Sequence, residues 1–119
     1  MFYKRQESFR YTFGIPPEVL LKVQAVENEK ATLSKGYGLM LDISPKGAKL
    51  FSEEDLLENL KDVQLKFVLN HETITVKADF AWKKAYEIGW LYGVDFEWNP
   101  IKEMLIFNEV KELKEIDHN

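Results

Sequence analysis

Three stretches in the second half of the chain alternate apolar and polar residues with a period of two. They cover residues 63–69, 74–82 and 90–98, with Asn70 and His71 between the first two. In the second stretch Phe80 and Trp82 continue the apolar face that begins at Ile74. Such alternation is typical of β-strands that bury one face, and short polar interruptions join antiparallel neighbours. The pattern therefore predicts three consecutive strands connected by hairpins.

The first half of the chain carries weaker strand signals separated by clear turns. Residues 17–26 come after the break at Pro16, residues 37–43 precede a turn from Ser44 to Gly47, and residues 48–51 start the next strand. Ser52 and Asp55 then have the spacing of a capping box, in which a hydroxyl and a carboxylate satisfy backbone amides at a helix start. A short internal helix is predicted over residues 53–60.

The end of the chain is predicted to be a helix. Asn99 and Pro100 suit its N-cap and first position, and the apolar residues that recur at helical spacing are Ile101, Leu105, Phe107, Val110 and Leu113. The whole pattern predicts a mainly β fold: a six-stranded antiparallel β-barrel with a short internal helix and a C-terminal α-helix. The terminal helix has two possible uses. It closes an open end of the barrel, which we favour, or it presents its apolar stripe to another chain.

Length and composition restrict the class of protein further. The 119 residues suit one domain, with an N-terminal arm at 1–13, a barrel at 14–98 and a helix at 99–117. The chain has no cysteine, which excludes disulfides, thiolate metal sites and thiol nucleophiles. No stretch approaches the roughly 20 apolar residues of a membrane span, and the N-terminus lacks the apolar segment of a signal peptide. We therefore expect a cytoplasmic protein without membrane insertion.

The net charge of −4 is unevenly divided along the chain. Residues 1–52 contain eight basic and five acidic residues, a balance of +3, so the remainder carries eight basic and fifteen acidic residues, a balance of −7. An acidic chain is a poor candidate for binding DNA or RNA, because that affinity comes mostly from neutralised phosphates. The basic first half is compatible with binding of a small anionic ligand. Charge is also distributed unevenly in short chains without any function.

Catalytic and metal-binding motifs are missing from the sequence. His71 falls in a predicted turn and His118 next to the C-terminus, and neither belongs to a G-x-S-x-G or H-E-x-x-H motif. No G-x-x-x-x-G-K-[ST] phosphate loop occurs either. We therefore expect neither an enzyme nor a metal site.

Two local features are candidates for ligand binding. The first is the N-terminal arm, where Arg5 and Arg10 lie in a stretch without strand or helix periodicity. Guanidinium groups bind phosphate oxygens bidentately and stack on flat rings, so two of them on an arm can clamp a nucleotide. The second is the stretch in which Asp42 and Ser44, two residues apart on one side of a strand, precede a turn at Gly47. Alone, this second stretch is more typical of an ordinary turn.

Together, in this order, the two features resemble the PilZ family of receptors for the bacterial second messenger cyclic di-GMP. The family signature is R-R-x-x-x-R in an N-terminal loop, and further along the chain [DN]-x-S-x-x-G. Asp42, Ser44 and Gly47 match the second motif, and Arg5 and Arg10 match the first and last arginines of the first motif. The late strand containing Tyr-Gly-Val-Asp-Phe at residues 92–96 is also similar to the Gly-Val-x-Phe strand of the family.

The resemblance implies a fold, a ligand and roles for these residues. Cyclic di-GMP would be wrapped by the arginine arm against the barrel, with Arg5 and Arg10 on phosphates or guanines and Asp42 and Ser44 on a guanine edge or phosphate. Gly47 would shape the turn and permit close approach of the ligand. Ligand binding would order the arm and signal through an unidentified effector protein, with no further cofactor.

One position departs from the family pattern, because Gln6 replaces the second arginine. A neutral amide forms weaker hydrogen bonds than a guanidinium, so the loss is about 0.5–2 kcal/mol, or up to about 30-fold in affinity. This departure keeps an alternative open, in which a degenerate PilZ domain has lost the ligand and acts as a protein–protein adaptor. A third and weaker hypothesis, a single-stranded nucleic-acid binder, is disfavoured by the acidic second half.

Overall fold

The computed structural model describes residues 10–27, 30–56 and 63–117, with side chains described outside residues 23–34. Seven strands and one helix succeed each other along this part of the chain. They are β1 (Tyr11–Thr12), β2 (Glu18–Glu27), β3 (Lys30–Ser44), β4 (Gly47–Ser52), β5 (Val63–Val68), β6 (Thr73–Tyr86), β7 (Gly89–Phe96) and α1 (Pro100–Asp117).

Six of the strands close into an antiparallel barrel. Going around the barrel, the order is β2, β3, β4, β7, β6 and β5, and β5 pairs again with β2. The short strand β1 lies outside this ring and pairs with the end of β3, where Tyr11 faces Ile43. Closure leaves the six strands paired on both sides over part of their length, which satisfies backbone groups that an open sheet would expose. The predicted six-stranded barrel is confirmed.

The core is formed by the inward-facing side chains of all six strands. Its most completely buried members are Val19, Leu21, Met40, Ile43, Leu50, Val63, Leu65, Ile74 and Tyr92. Two strands are longer than the sequence pattern predicts: β3 starts at residue 30 rather than 37, and β6 continues to residue 86 rather than 82. In the extra length of β6 the alternation is lost, because residues 84–86 are all exposed.

The segment after β4 does not start the predicted helix. Residues 53–56 form a bend and then irregular chain, and the rest of the predicted helix at 57–60 lies outside the described residues. The Ser52 hydroxyl accepts a hydrogen bond from the amide of Glu54 at 3.1 Å and donates one to the carbonyl of Tyr37 at 2.8 Å. The buried Tyr92 hydroxyl then accepts from the Leu56 amide and donates to the Glu54 carbonyl. These bonds hold the segment against the barrel without helical geometry.

A β-bulge in β6 overturns the expected position of Trp82. The pairing register with β7 shifts between Phe80 and Trp82, so Ala81 is an extra residue and the alternation reverses. Trp82 therefore lies on the outer face of the barrel and is 46% exposed, whereas Lys83 takes the inward position. The Lys83 ammonium lies 4.3 Å from the centre of the Trp90 ring, donates to the Leu56 carbonyl and pairs with the Asp55 carboxylate, so its charge is compensated.

Helix α1 closes one end of the barrel, as favoured from the sequence. Asn99 is the N-cap, because its side-chain oxygen accepts the amide of Lys102 at 3.1 Å. Ile106 and Val110 are buried in the barrel core, whereas Ile101, predicted to belong to the same stripe, is 79% exposed. No helix in the described part of the chain is both long and apolar enough to cross a membrane.

The helix is fastened to the barrel by a buried carboxylate. Glu109 Oε1 accepts hydrogen bonds from three consecutive backbone amides of the β5–β6 turn, those of Asn70, His71 and Glu72, at 2.9–3.3 Å. Burial alone would raise the pKa of this carboxyl, but the three amides together outweigh burial and lower the pKa below its ordinary value of 4.5. The charged form of Glu109 is therefore the form that holds α1 in place.

The first prediction concerns the pH dependence of this contact. A carboxyl with a lowered pKa in the folded state stabilises the fold above its unfolded-state pKa, and this contribution is lost as the pH falls through the folded-state value. Glu109→Gln should lower the free energy of unfolding by about 1–3 kcal/mol at neutral pH and weaken its acid dependence below pH 4.5. Urea unfolding across this pH range measures both effects. Glu115→Gln, on the exposed side of α1, is the matched control, and equal behaviour of the two variants would contradict the assignment.

Candidate functional site

A second β-bulge, in β3, determines which residues form the candidate site. The register with β4 shifts between Met40 and Asp42, so Leu41 is the extra residue. Met40 and Ile43 both face the core with no exposed surface, although they are three residues apart. Asp42 and Ser44 consequently lie together on the outer face of the barrel, on one side of the strand as the sequence predicts.

Asp42 is the centre of a small group of charges. Its carboxylate is 11% exposed, with Lys49 Nζ at 3.8 Å on β4 and Arg10 Nη1 at 3.9 Å on the segment before β1. Both separations exceed hydrogen-bonding distance, so the charges attract one another without directional bonds. The cationic groups are about half exposed, and ion pairs of this kind contribute about 0–1 kcal/mol. The three charged side chains therefore lie together, and neither ion pair is short enough to fix their positions.

The turn after β3 shapes one border of the site. The Ser44 hydroxyl accepts a weak hydrogen bond from the Lys46 amide at 3.4 Å and donates one to the Gly47 carbonyl at 3.5 Å. A side chain at Gly47 would overlap the Val94 carbonyl oxygen of β7, and the glycine has no positive φ. The sequence analysis linked Gly47 to close approach of a ligand, whereas the backbone that approaches it in the structure is that of β7.

Strand pairing extends this surface across the barrel wall. Asp42 faces Lys49, Lys49 faces Gly93, and Gly93 faces Trp82, so four adjacent strands contribute one row of residues on the outer face. The Trp82 indole lies directly over Gly93, where any Cβ would overlap the ring. The row therefore combines a carboxylate, a cation and a partly exposed aromatic ring over about 14 Å. We call Arg10 and this row the polar wall.

Both candidate segments contact the closing helix. Lys46, in the turn, pairs with Glu103 of α1 at 3.3 Å, and the Tyr11 hydroxyl, next to Arg10, donates a hydrogen bond to Asp117 near the helix end. This hydrogen bond, more than partial burial, raises the pKa of Tyr11 above its ordinary value of 10.0. The phenol thus keeps its proton throughout the neutral range. The motif turn and the arm are connected to opposite ends of one helix.

The structure brings together four of the six predicted site residues and leaves two undescribed. Arg10, Asp42, Ser44 and Gly47 lie around the end of β3, whereas Arg5 and Gln6 lie outside the described residues. Lys49 was not among the predicted site residues, although the two-residue turn after Ser44 by itself places it opposite Asp42. Trp82 was not predicted either, because the β6 bulge has no recognisable sequence signal.

The described ranges contain no group of three or more side chains that could hold a metal ion. His71, the histidine within these ranges, lies on the β5–β6 turn, with Nε2 3.7 Å from Glu112 of α1. At the polar wall, cations and a ring can receive a ligand, and a carboxylate can accept its donors.

Comparison with known proteins agrees with this arrangement. The family model described as the PilZ domain matches residues 4–110. The chain belongs to the PilZ domain family. A solved structure of YcgR from Escherichia coli, in complex with c-di-GMP, is similar to this PilZ domain with a TM-score of 0.71 and 15% sequence identity. The similarity covers 97% of this chain and 48% of YcgR, so the chain spans about half the length of that protein. No match was found among curated proteins.

The second prediction tests the packing of the PilZ motif glycine. In Gly47→Ala the new methyl group must displace the β7 backbone at Val94, so we expect a loss of more than about 2 kcal/mol of unfolding free energy. Gly14→Ala is the matched control, because nothing lies within 4 Å of its added Cβ and its effect should stay within about 1 kcal/mol. Thermal unfolding monitored by circular dichroism compares the two. Unchanged stability of Gly47→Ala would refute the packing role.

Proposed function

We propose that this chain is a receptor domain for cyclic di-GMP, that the arm at residues 1–13 becomes ordered around the ligand, and that the domain signals through a partner protein. The observation that carries the proposal is the position of Arg10 beside Asp42 on the outer face of a PilZ barrel, next to the Ser44–Gly47 turn. The ligand named for the similar YcgR structure supports this choice.

The chemistry of a guanine fits this pair. Guanine offers acceptors at N7 and O6, which a guanidinium binds bidentately, and N–H donors on its opposite edge, which a carboxylate accepts. Arg10 supplies the guanidinium and Asp42 the carboxylate, and their charged atoms lie 3.9 Å apart. Ser44 holds the turn and adds a hydroxyl at its border.

The rest of the polar wall suits a phosphodiester and a second ring. Lys49 is a compact cation opposite Asp42, and its charge adds to that of Arg10 around the buried carboxylate. Trp82 offers a flat face that is 46% exposed, on which a base can stack with a contribution of about 1–3 kcal/mol. Arg5 and Gln6 of the arm would complete the enclosure. The two phosphate groups of cyclic di-GMP would thereby lie near several cationic side chains.

Signalling would use the contact between the arm and α1. Arg10 is bonded directly to Tyr11, whose hydroxyl holds Asp117 of the helix. A ligand that draws Arg10 away from Asp42 therefore acts on the residue next to this hydrogen bond. The exposed surfaces that change with it are those of the arm and of the end of α1, which is where a partner protein would detect the bound state.

The third prediction is a loss of ligand affinity at the polar wall. In titration calorimetry the unchanged protein should bind cyclic di-GMP, and Arg10→Ala and Asp42→Ala should each weaken binding at least about tenfold, because each removes charge-assisted hydrogen bonds of about 1.5–3 kcal/mol. Lys111→Ala, on the exposed side of α1, is the matched control and should bind normally. No heat from folded protein at about 100 μM ligand would refute the proposal and leave the adaptor alternative.

The fourth prediction concerns the departure from the family motif. Gln6→Arg should tighten binding by up to about 30-fold, because it replaces neutral hydrogen bonds by charge-assisted ones. Lys4→Arg adds a guanidinium to the same arm without adding charge and outside the motif, and should have a much smaller effect. Equal affinities for all three proteins would show that position 6 does not contact the ligand.

A further inference from the structure

The barrel wall opposite the polar wall has a different character. Around the ring, β5 lies opposite β4, and β2 lies opposite β7, so the outer faces of β2 and β5 point away from Asp42 and Trp82. Strand pairing places two rows of residues side by side on that face. We call these eight residues the basic wall: Lys35, Lys22, Gln64 and Lys77 in one row, and Tyr37, Leu20, Lys66 and Thr75 in the other.

The basic wall contains four lysines and no acidic residue. Its rows are two residues apart along the strands and cross four strands, so the lysines share an area of about 14 by 7 Å. Lys22 and Lys35 face each other directly, and like charges in that position destabilise a strand pair. None of the ion pairs in the described part of the chain includes any of these four lysines.

Several other cations of the barrel lie close to a carboxylate, although no ion pair in the described ranges includes Lys84. Lys46, Lys49 and Lys83 each have a carboxylate within 4.0 Å, as does Arg10. Among the residues that the structure describes, the four lysines of the basic wall therefore form an uncompensated positive surface, on a chain whose net charge is −4. Charge repulsion within a sheet lowers folding stability, so folding alone gives no reason to keep it.

The same wall also offers apolar contact area. A shallow cavity of about 370 Å³ opens there, and its lining includes Leu20, Tyr37 and Lys66, with Glu18 at its border. Tyr37 is 64% exposed, and Val68 at the rim is 46% exposed. An exposed tyrosine beside a cavity is the kind of aromatic anchor that is common at protein interfaces, whose rim is polar.

We propose that the basic wall is a docking surface for an acidic segment of a partner protein. Because the wall is positively charged, the partner segment must carry negative charge. The cavity beside Tyr37 accepts an apolar side chain of the same segment. Acidic residues border the wall, at Glu18 on one side and at Asp79 and Glu97 on another. A nucleic acid or a lipid surface would extend over these carboxylates and be repelled, whereas a short segment fits between them. The surface is separate from the polar wall and acts with or without a nucleotide.

The fifth prediction tests the wall with a simple acidic probe. In fluorescence anisotropy at low ionic strength, a fluorescein-labelled oligoglutamate peptide should bind the unchanged protein and be released as salt is added. The double variant Lys22→Glu and Lys66→Glu should weaken binding at least about tenfold. The matched control is Lys84→Glu with Lys111→Glu, which changes net charge equally on other surfaces and should have a small effect.

Additional variants and ligands separate the possible outcomes of the peptide-binding test. Lys22→Gln with Lys66→Gln removes the charges without reversing them and relieves repulsion, so it should fold at least as stably and still lose peptide binding. Cyclic di-GMP binding should be the same in all wall variants, which keeps this test independent of the proposed function. Absence of peptide binding, or equal loss in both Glu double variants, would overturn the proposal. So would binding of single-stranded DNA or phosphatidylglycerol vesicles, but not of the peptide, through the same lysines.

Discussion

One extra residue in β3 determines both the core and the candidate site. Regular alternation from Met40 would place Asp42 inside the barrel and Ile43 outside, which would bury an unpaired carboxylate and expose an apolar side chain. The bulge at Leu41 reverses this assignment, so Ile43 completes the core while Asp42 and Ser44 face outward beside Arg10. The core at this end of β3 and the candidate site therefore depend on the same local irregularity.

The closing helix connects the strands, the motif turn and the arm at this end of the barrel. Ile106 and Val110 fill the opening between the strands, and Glu109 fixes the helix through three amides of a single turn. The motif turn is attached to the same helix through Lys46, and the arm through Tyr11. The two outer attachments are exposed, so each contributes little to stability, whereas the Glu109 contact is buried. The helix is therefore held firmly near its centre and weakly at its contacts with the motif turn and the arm.

Elements that depend on residues close together in the sequence could be predicted from periodicity and from the residues of the turns. The strands at 63–69 and 90–98, the helix start at Asn99 and the turn at Ser44 to Gly47 are of this kind, and the structure agrees with them to within a few residues. The position of Trp82 could not be predicted, because it depends on a bulge that no residue type marks. The pairing of Lys49 with Asp42 follows from the two-residue turn after Ser44 and could have been predicted from it. The supposed capping box at Ser52 was wrong for residues 53–56 because the Ser52 and Tyr92 hydroxyls bind that backbone differently. The hydrogen bonds between Ser52 and Tyr37 and between Tyr92 and residues 54 and 56 therefore outweigh the local capping signal.

The folded positions of the charges explain why net charge is a poor guide to the ligands of this domain. Many acids of the second half are used within the molecule: Glu103 pairs with Lys46, Glu109 accepts backbone amides, and Glu112 lies against Asn70 and His71. The ion pair of Glu103 with Lys46 cancels charge locally and projects little field beyond a Debye length of about 8–10 Å, whereas backbone amides stabilise the charge of Glu109 without neutralising it. Among the described basic residues, Arg10 and Lys49 lie beside Asp42, and the four lysines of the basic wall lie on the opposite side of the barrel without a described carboxylate partner. An acidic chain thereby has two separate groups of basic residues, each with its own geometry.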